Sequence, residues 1–237
     1  MSGTLQVGGI TLGTHNSGTG EVDLSNFNAG GYLLKSVQTF TTVGTATWTK
    51  PSGITAVLVY VTGGGGGGGI GTGSNNSGGS GHAGGTAIKW ITSGLGSTET
   101  VTVGNYGAAG TSGNGGNATS SSFGSHCSAT GGNGGRHATN QSADPTLPGA
   151  GSGGDINMTG GFGGGHHPND ASDNNGGGVG GASFWGGGGI SADGYNSYYA
   201  TAGQAWGSGG GGGYHNSTYS AGKEGKQGIV IVWEYIG

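Results

Sequence analysis

Residues 56–69 read Ala56-Val57-Leu58-Val59-Tyr60-Val61-Thr62-Gly63-Gly64-Gly65-Gly66-Gly67-Gly68-Gly69. The first half is β-branched and aromatic, the composition of a central strand. The second half has no side chain at all. Glycine loses more backbone freedom on folding than any other residue, and ordering a residue costs roughly 1–2 kcal/mol of backbone entropy. A strand that feeds directly into such a run predicts one of two things: a flexible tether, or a tract held by backbone hydrogen bonds alone. Each bond nets only about 0.5–1.5 kcal/mol, so the second option needs many of them formed together.

Composition favours the second option. Gly supplies 67 of 237 residues and charged residues only 7%, against roughly 7% and about 25% in an average protein. Collagen needs a strict Gly-X-Y register and abundant Pro, and this chain has 4 Pro and no register. Disorder goes with high charge and few aromatics, whereas 5 Trp, 9 Tyr and 5 Phe are present, several of them among the glycines. Apolar residues are few but concentrated, which predicts one small core frame carrying long glycine excursions. The net charge of −4, without a basic cluster, disfavours nucleic acid. No apolar run reaches the ~18 residues of a membrane span, so no membrane insertion is expected. Met1-Ser2-Gly3-Thr4 lacks the basic-then-apolar pattern of a signal peptide. The lone Cys127 has no intrachain disulfide partner.

Outward from residues 56–69, the strand signals form a frame. Val37-Gln38-Thr39-Phe40-Thr41 alternates apolar and polar. Gly44 reads as a turn, Thr45–Thr49 as a strand and Pro51-Ser52-Gly53 as another turn. Thr86–Ile91, Glu99–Val103 and Gly228–Tyr235 complete the set. Residues 105–213 carry almost no hydrophobic periodicity, yet the last strand must pair with the early ones. The expected fold is all-β, with little or no helix: a small β-sandwich base with projecting Gly-rich segments. A structureless loop of that length is foreign to a compact domain. Residues 105–213 are therefore expected to be ordered, as packed polyglycine II helices with three residues per turn. Gly187 and Gly211, inside Gly runs, are expected to be tightly packed. Residues 1–35 form an N-terminal leader for attachment or assembly. Residues 36–237 form the glycine-rich domain, with a β frame at 36–104 plus 225–237 and a body at 105–224.

Three motifs carry a resemblance: Phe40–Gly53, Val57–Thr62 running into Gly63–Gly69, and Gly225–Tyr235. In this order, over about residues 37–237, they resemble the glycine-rich domain at the ends of many bacteriophage tail fibres. The texture is also similar to the distal adhesins of T-even phages, whose body is a layered stack of polyglycine II helices. The resemblance implies a virion location (tail fibre, tail tip or capsid surface) and a host receptor-binding role, the receptor being a cell-surface glycan or an outer-membrane protein. It also implies a homotrimer, held to other virion proteins through the leader. A purely structural virion protein, as a fibre segment or capsid decoration, is the alternative.

No enzymatic signature stands out and no cofactor is expected. Gly63–Gly69 follows a strand, but no Gly-Lys-Ser/Thr and no helix follow it, so it is no phosphate loop. No carboxylate pair is singled out for glycoside hydrolysis. His166 and His167 beside Asp170 and Asp173 are the densest ligand-like cluster; an exposed polar loop is the other reading. The aromatic tips are the better lead. Tyr among Ser, Gly and Asn gives contact area at low entropic cost, as in antibody loops. The receptor-binding candidates are Phe184, Trp185, Tyr195, Tyr198, Tyr199, Trp206, Tyr214 and Tyr219, with capping of the glycine stack as the competing role for each ring.

Overall fold

The computed structural model describes residues 3–7, 10–15, 22–23, 31–71, 76–137, 147–165, 178–192, 199–215 and 221–237. These residues are all-β or extended, with no helix among them. Near the N-terminus, β1 (Gly3–Val7) and β2 (Ile10–His15) pair antiparallel, and β3 (Val22–Asp23) adds to β2. The frame begins with β4 (Leu33–Phe40), β5 (Gly44–Thr49) and β6 (Ala56–Thr62). The turns between them use Gly44 (φ 113°) and Gly53 (φ 83°), conformations that a side chain would strain. After the short β7 (Asn76–Ser77) come β8 (Thr86–Ile91) and β9 (Thr98–Val103). Then follow β10 (Ser121–Phe123), β11 (Cys127–Ala129), β12 (Gly151–Ser152), β13 (Ile156–Met158), β14 (Tyr214–His215) and the closing β15 (Ile229–Ile236).

Two five-stranded antiparallel sheets make the sandwich. One runs β13-β8-β6-β15-β4 and the other β12-β11-β10-β9-β5. The last strand lies between β6 and β4, as the pairing argument from sequence requires. Alternation decides what goes inside: Val57, Val59 and Val61 of β6 and Val230 and Val232 of β15 meet Trp48, Val101, Val103 and Phe123 of the other sheet. The frame differs from the sequence-based division in two ways. Its first strand starts at Leu33, within the stretch assigned to the leader. Four of its strands, β10 to β13, come from within residues 105–224, where only body was expected. These strands are two or three residues long, and Phe123, Cys127 and Ala129 are too few to register as periodic hydrophobicity.

The core also holds Glu234, fully buried on β15. Trp48 Nε1 donates to its Oε1 at 2.7 Å and Gln38 Nε2 at 2.6 Å, and Ser36 Oγ donates to Oε2. Three donors from two strands, Ser36 and Gln38 of β4 and Trp48 of β5, thus satisfy a carboxyl that would otherwise be costly to bury. Cys127 is buried nearby; desolvation pushes its thiol up to about 11, with Lys89 pulling partly back and Asp155 adding to the rise.

Above the sandwich the Gly-rich chain runs outward and back repeatedly. The outward run 63–70 lies at the centre, and its hydrogen bonds repeat every three residues. Gly63, Gly66 and Gly69 donate to Gly85, His82 and Gly79; Gly64, Gly67 and Ile70 donate to Thr119, Gly116 and Gly113; Gly65 and Gly68 donate to Lys226 and Lys223. The register descends each time, so these neighbours are antiparallel. Its carbonyls accept from Gly107 and Gly110, from Gly132 and Gly135, and from Gly210 and Gly213, three parallel neighbours. Six segments therefore surround one.

That arrangement explains why the run is glycine. A Cβ on Gly63 through Gly69 would stand 2.0–2.4 Å from a backbone atom of a neighbouring segment, well inside van der Waals contact. Gly211 is equally enclosed, its Cβ position 1.9 Å from the Ile190 carbonyl oxygen. Gly187 is not: nothing lies within 4 Å. The expectation of tight packing fails there because residue 187 sits on the periphery, next to the turn at 183–186, and neighbours in sequence do not report neighbours in space.

Candidate functional site

The hydrogen-bond register fixes which chain reversals share an end. Outward runs 63–70, 105–110, 130–137, 160–165, 187–192 and 208–213 alternate with return runs 78–85, 113–119, 147–150, 178–182, 199–203 and 221–228. Their far ends are neighbours: Gly69 donates to Gly79, Ile70 to Gly113, Gly79 to Arg136, Ser80 to Gly164, Ala192 to Gly212 and Gly213 to Gly69. Every connection from an outward to a return run thus leaves from the end remote from the sandwich. The connections from return to outward runs at 183–186 and 204–207 lie at the sandwich, since Gly207 donates to Gln227 and Gly84 donates to Gly207.

This alternation sorts the aromatic candidates. Phe184 and Trp185 stand at the proximal turn. Both rings pack against Tyr60 of β6, at centroid distances of 6.2 and 6.0 Å, and Trp185 Nε1 donates to Thr62 Oγ1 at 2.9 Å. Trp206 is proximal too, with the Lys226 ammonium 5.5 Å from its ring centroid. None of these three belongs to the remote end. Counting reversals from β6 would have placed them, because even-numbered reversals must come back to the sandwich.

At the remote end, Tyr214 is buried with Ala192 and Ala200 in a small apolar cluster, and β14 pairs with β7 beside it. That is the capping role. Tyr199 is 72% exposed, and it is the one described candidate that presents its ring to solvent there. Exposed Leu147 and Val179 also begin return runs, and His137 donates its backbone N–H to Asn114 Oδ1. Tyr195, Tyr198 and Tyr219 lie outside the described residues, as do His166, His167 and Asp170. Among the described residues no three His, Cys, Asp or Glu side chains come together as a metal site, and no helix is long and apolar enough to cross a membrane.

A pair of ionisable side chains ties the second sheet together. Glu99 Oε1 lies 3.2 Å from His126 Nε2 and accepts from the Gly96 amide at 2.8 Å. Burial pushes the Glu99 carboxyl up, but the Gly96 amide and His126 outweigh it and hold it below its ordinary value. The pair ties β9 to the β10–β11 turn.

No curated protein matches the chain. A family model described as a glycine-rich domain matches residues 41–235, nearly the whole of the sandwich and the body together. The match takes in both the sandwich and the body, and the chain belongs to the glycine-rich domain family.

Proposed function

We propose that this chain is a bacteriophage virion adhesin, located on a tail fibre or tail tip, that contacts a host-surface glycan or outer-membrane protein through the end of the body remote from the sandwich. The observation that carries the reading is the segregation of chain reversals. Every outward run ends at one face, on a scaffold whose amides are bonded in three directions. Such a scaffold can change its reversals without changing its core, the division of labour of a binding loop on a rigid frame. Tyr199 lies there, and the sequence assigns Tyr195, Tyr198 and Tyr219 to the same set of connections. The test is binding of the purified chain to host cells and to their extracted glycans, with Tyr199→Ala alongside wild type. Saturable binding weakened by the substitution supports the reading. No binding, together with unchanged adsorption of virions lacking the protein, overturns it.

The body belongs, in this proposal, to the polyglycine II type. Hydrogen bonds that repeat every three residues, pointing to neighbours on all sides, are what a helix of three residues per turn produces. A crystal structure giving φ near about −75° and ψ near about +145° at Gly64–Gly68 would support the assignment; β-sheet dihedrals there would refute it.

A structural virion protein without a receptor is the second reading. It is favoured by the burial of Tyr214 and by the sandwich-side position of Phe184, Trp185 and Trp206, which take four of the aromatic candidates out of contention. Immunogold label along a shaft or over the capsid, and none at fibre tips, would select it.

A further inference from the structure

The two sheets treat their outer faces differently. On the second sheet the outer face is hydroxylated: Thr45↔Thr102, Thr47↔Thr100 and Thr49↔Thr98 pair across β5 and β9, and Ser122, Ser128 and Ser152 continue the first row across β10, β11 and β12. This is what a sheet turned to water requires. On the first sheet the corresponding rows are apolar except at Thr39. One row runs Trp90–Leu58–Trp233–Val37 across β8, β6, β15 and β4, and the next runs Ile156–Ile88–Tyr60–Ile231–Thr39. Strands apolar on both faces are those covered on both faces. Here the described residues supply only part of the cover. Phe184 and Trp185 lie over Tyr60 at one end, and Tyr32 packs edge-on against Trp90, 5.0 Å away, at the other. Between them Trp233 is 36% exposed, Val37 47% and Leu34 50%.

We propose that this face docks a second copy of the same chain. The charge pattern selects that occupant. None of the nine residues in the two rows is charged, so two copies meet there without like-charge contact, although each chain carries a net charge of −4. A charged or strongly hydrated partner would gain nothing from such a surface. Among the described residues β4 adds an open edge of eight residues, paired on its β15 side alone, whose outer amides and carbonyls suit another strand. Size sets the strength. Five strands at about 4.8 Å spacing, by these two rows and a third that holds the Tyr235–Leu34 pair, about 6.8 Å apart, give a plane on the order of 500 Å². A standard interface uses about 800 Å² per partner, so the contact is reversible. A face that meets itself requires a two-fold axis, and the product is a dimer, where the fibre resemblance implies a trimer. The inference stands apart from the receptor-binding reading, because it concerns the sandwich and not the remote end.

Sedimentation equilibrium of the full-length chain tests it. Wild type is expected to show a monomer–dimer equilibrium that Val37→Lys and Leu34→Lys each weaken by at least about tenfold, since every dimer would then bury ammonium groups without partners. Both positions are exposed, so the thermal midpoints of the variants should match wild type, and a variant is read only where they do. Thr47→Lys, on the hydroxyl face, should leave the equilibrium unchanged. A wild-type monomer at all concentrations, a trimer, or a dimer indifferent to both substitutions overturns the proposal.

Discussion

At Gly211 a methyl group would stand 1.9 Å from the carbonyl oxygen of Ile190, and at Gly187 it would meet nothing. The two positions look alike in sequence and should respond with opposite signs. Gly211→Ala forces two backbone segments apart, so the usual overpacking cost of about 1–3 kcal/mol is a floor. Gly187→Ala restricts only the unfolded chain and should stabilise by about 0.4–1 kcal/mol. Thermal unfolding of both variants checks this, and equal midpoints would contradict the packed body. Glu234 permits a second comparison. Glu234→Leu removes the acceptor of Trp48 Nε1 and Gln38 Nε2 and leaves buried donors unpaired, a loss of about 1–3 kcal/mol, whereas Glu234→Gln keeps one acceptor oxygen and should lose less. Urea midpoints that rank Leu at or above Gln would refute the role. Cys127 gives a third. Its thiol is held protonated up to about pH 11, so alkylation at pH 8 should be undetectable in the folded chain and prompt after denaturation. The folded pKa is raised, so its contribution to stability is present below the unfolded value of about 8.5 and fades as pH climbs towards 11.

At the scale of elements, the sandwich was legible where periodicity had room to appear. β6 was read with its bounds intact, and β8, β9 and β15 to within a residue, because each runs for at least six residues and places at least two apolar residues in the core. Short strands were not legible. Ser121-Ser122-Phe123 and Cys127-Ser128-Ala129 hold one or two apolar residues each, and β10 joins the core through Phe123, whose ring meets Trp48 (5.5 Å between centroids). Order in the glycine body could be argued from the entropy problem and the scattered aromatics. Which glycines are enclosed could not, since that depends on neighbours from residues 78 to 228. The end to which each aromatic belongs follows from the parity of reversals, which composition does not encode. The Glu99–His126 contact makes a prediction at this scale. Glu99 titrates below its ordinary value, so its contribution is present above the unfolded pKa and is lost as pH falls through the folded one. His126→Ala should therefore flatten the acid limb of a stability–pH curve, leaving the neutral range less affected; an unchanged acid limb would show that the pair contributes nothing.

For the whole molecule, the central run draws its hydrogen-bond partners from nearly the entire sequence. Gly63 bonds to residue 85 and Gly65 to residue 226. The amides of residues 64–69 cannot open singly without disturbing several segments, so they should exchange with deuterium only through global unfolding. Protection factors there should equal those of Val59 and Val232 in the sandwich. Markedly faster exchange in the run would mean that the body opens separately from its base. Contacts this remote in sequence also predict slow folding, because the run cannot complete its bonding until residues 222–228 are in place.

Hydrogen bonding with a period of three has a consequence for the lengths this chain can evolve. Removing one residue from an outward or return run turns every later amide by about 120°, so each donor aims at the wrong neighbour and the error passes along the whole segment. Removing three restores the phase. Insertions and deletions within the runs should therefore be tolerated only in multiples of three, while the connections at the remote end can take any length. The body behaves like a reading frame, and its frameshifts are forbidden everywhere except where the chain turns round.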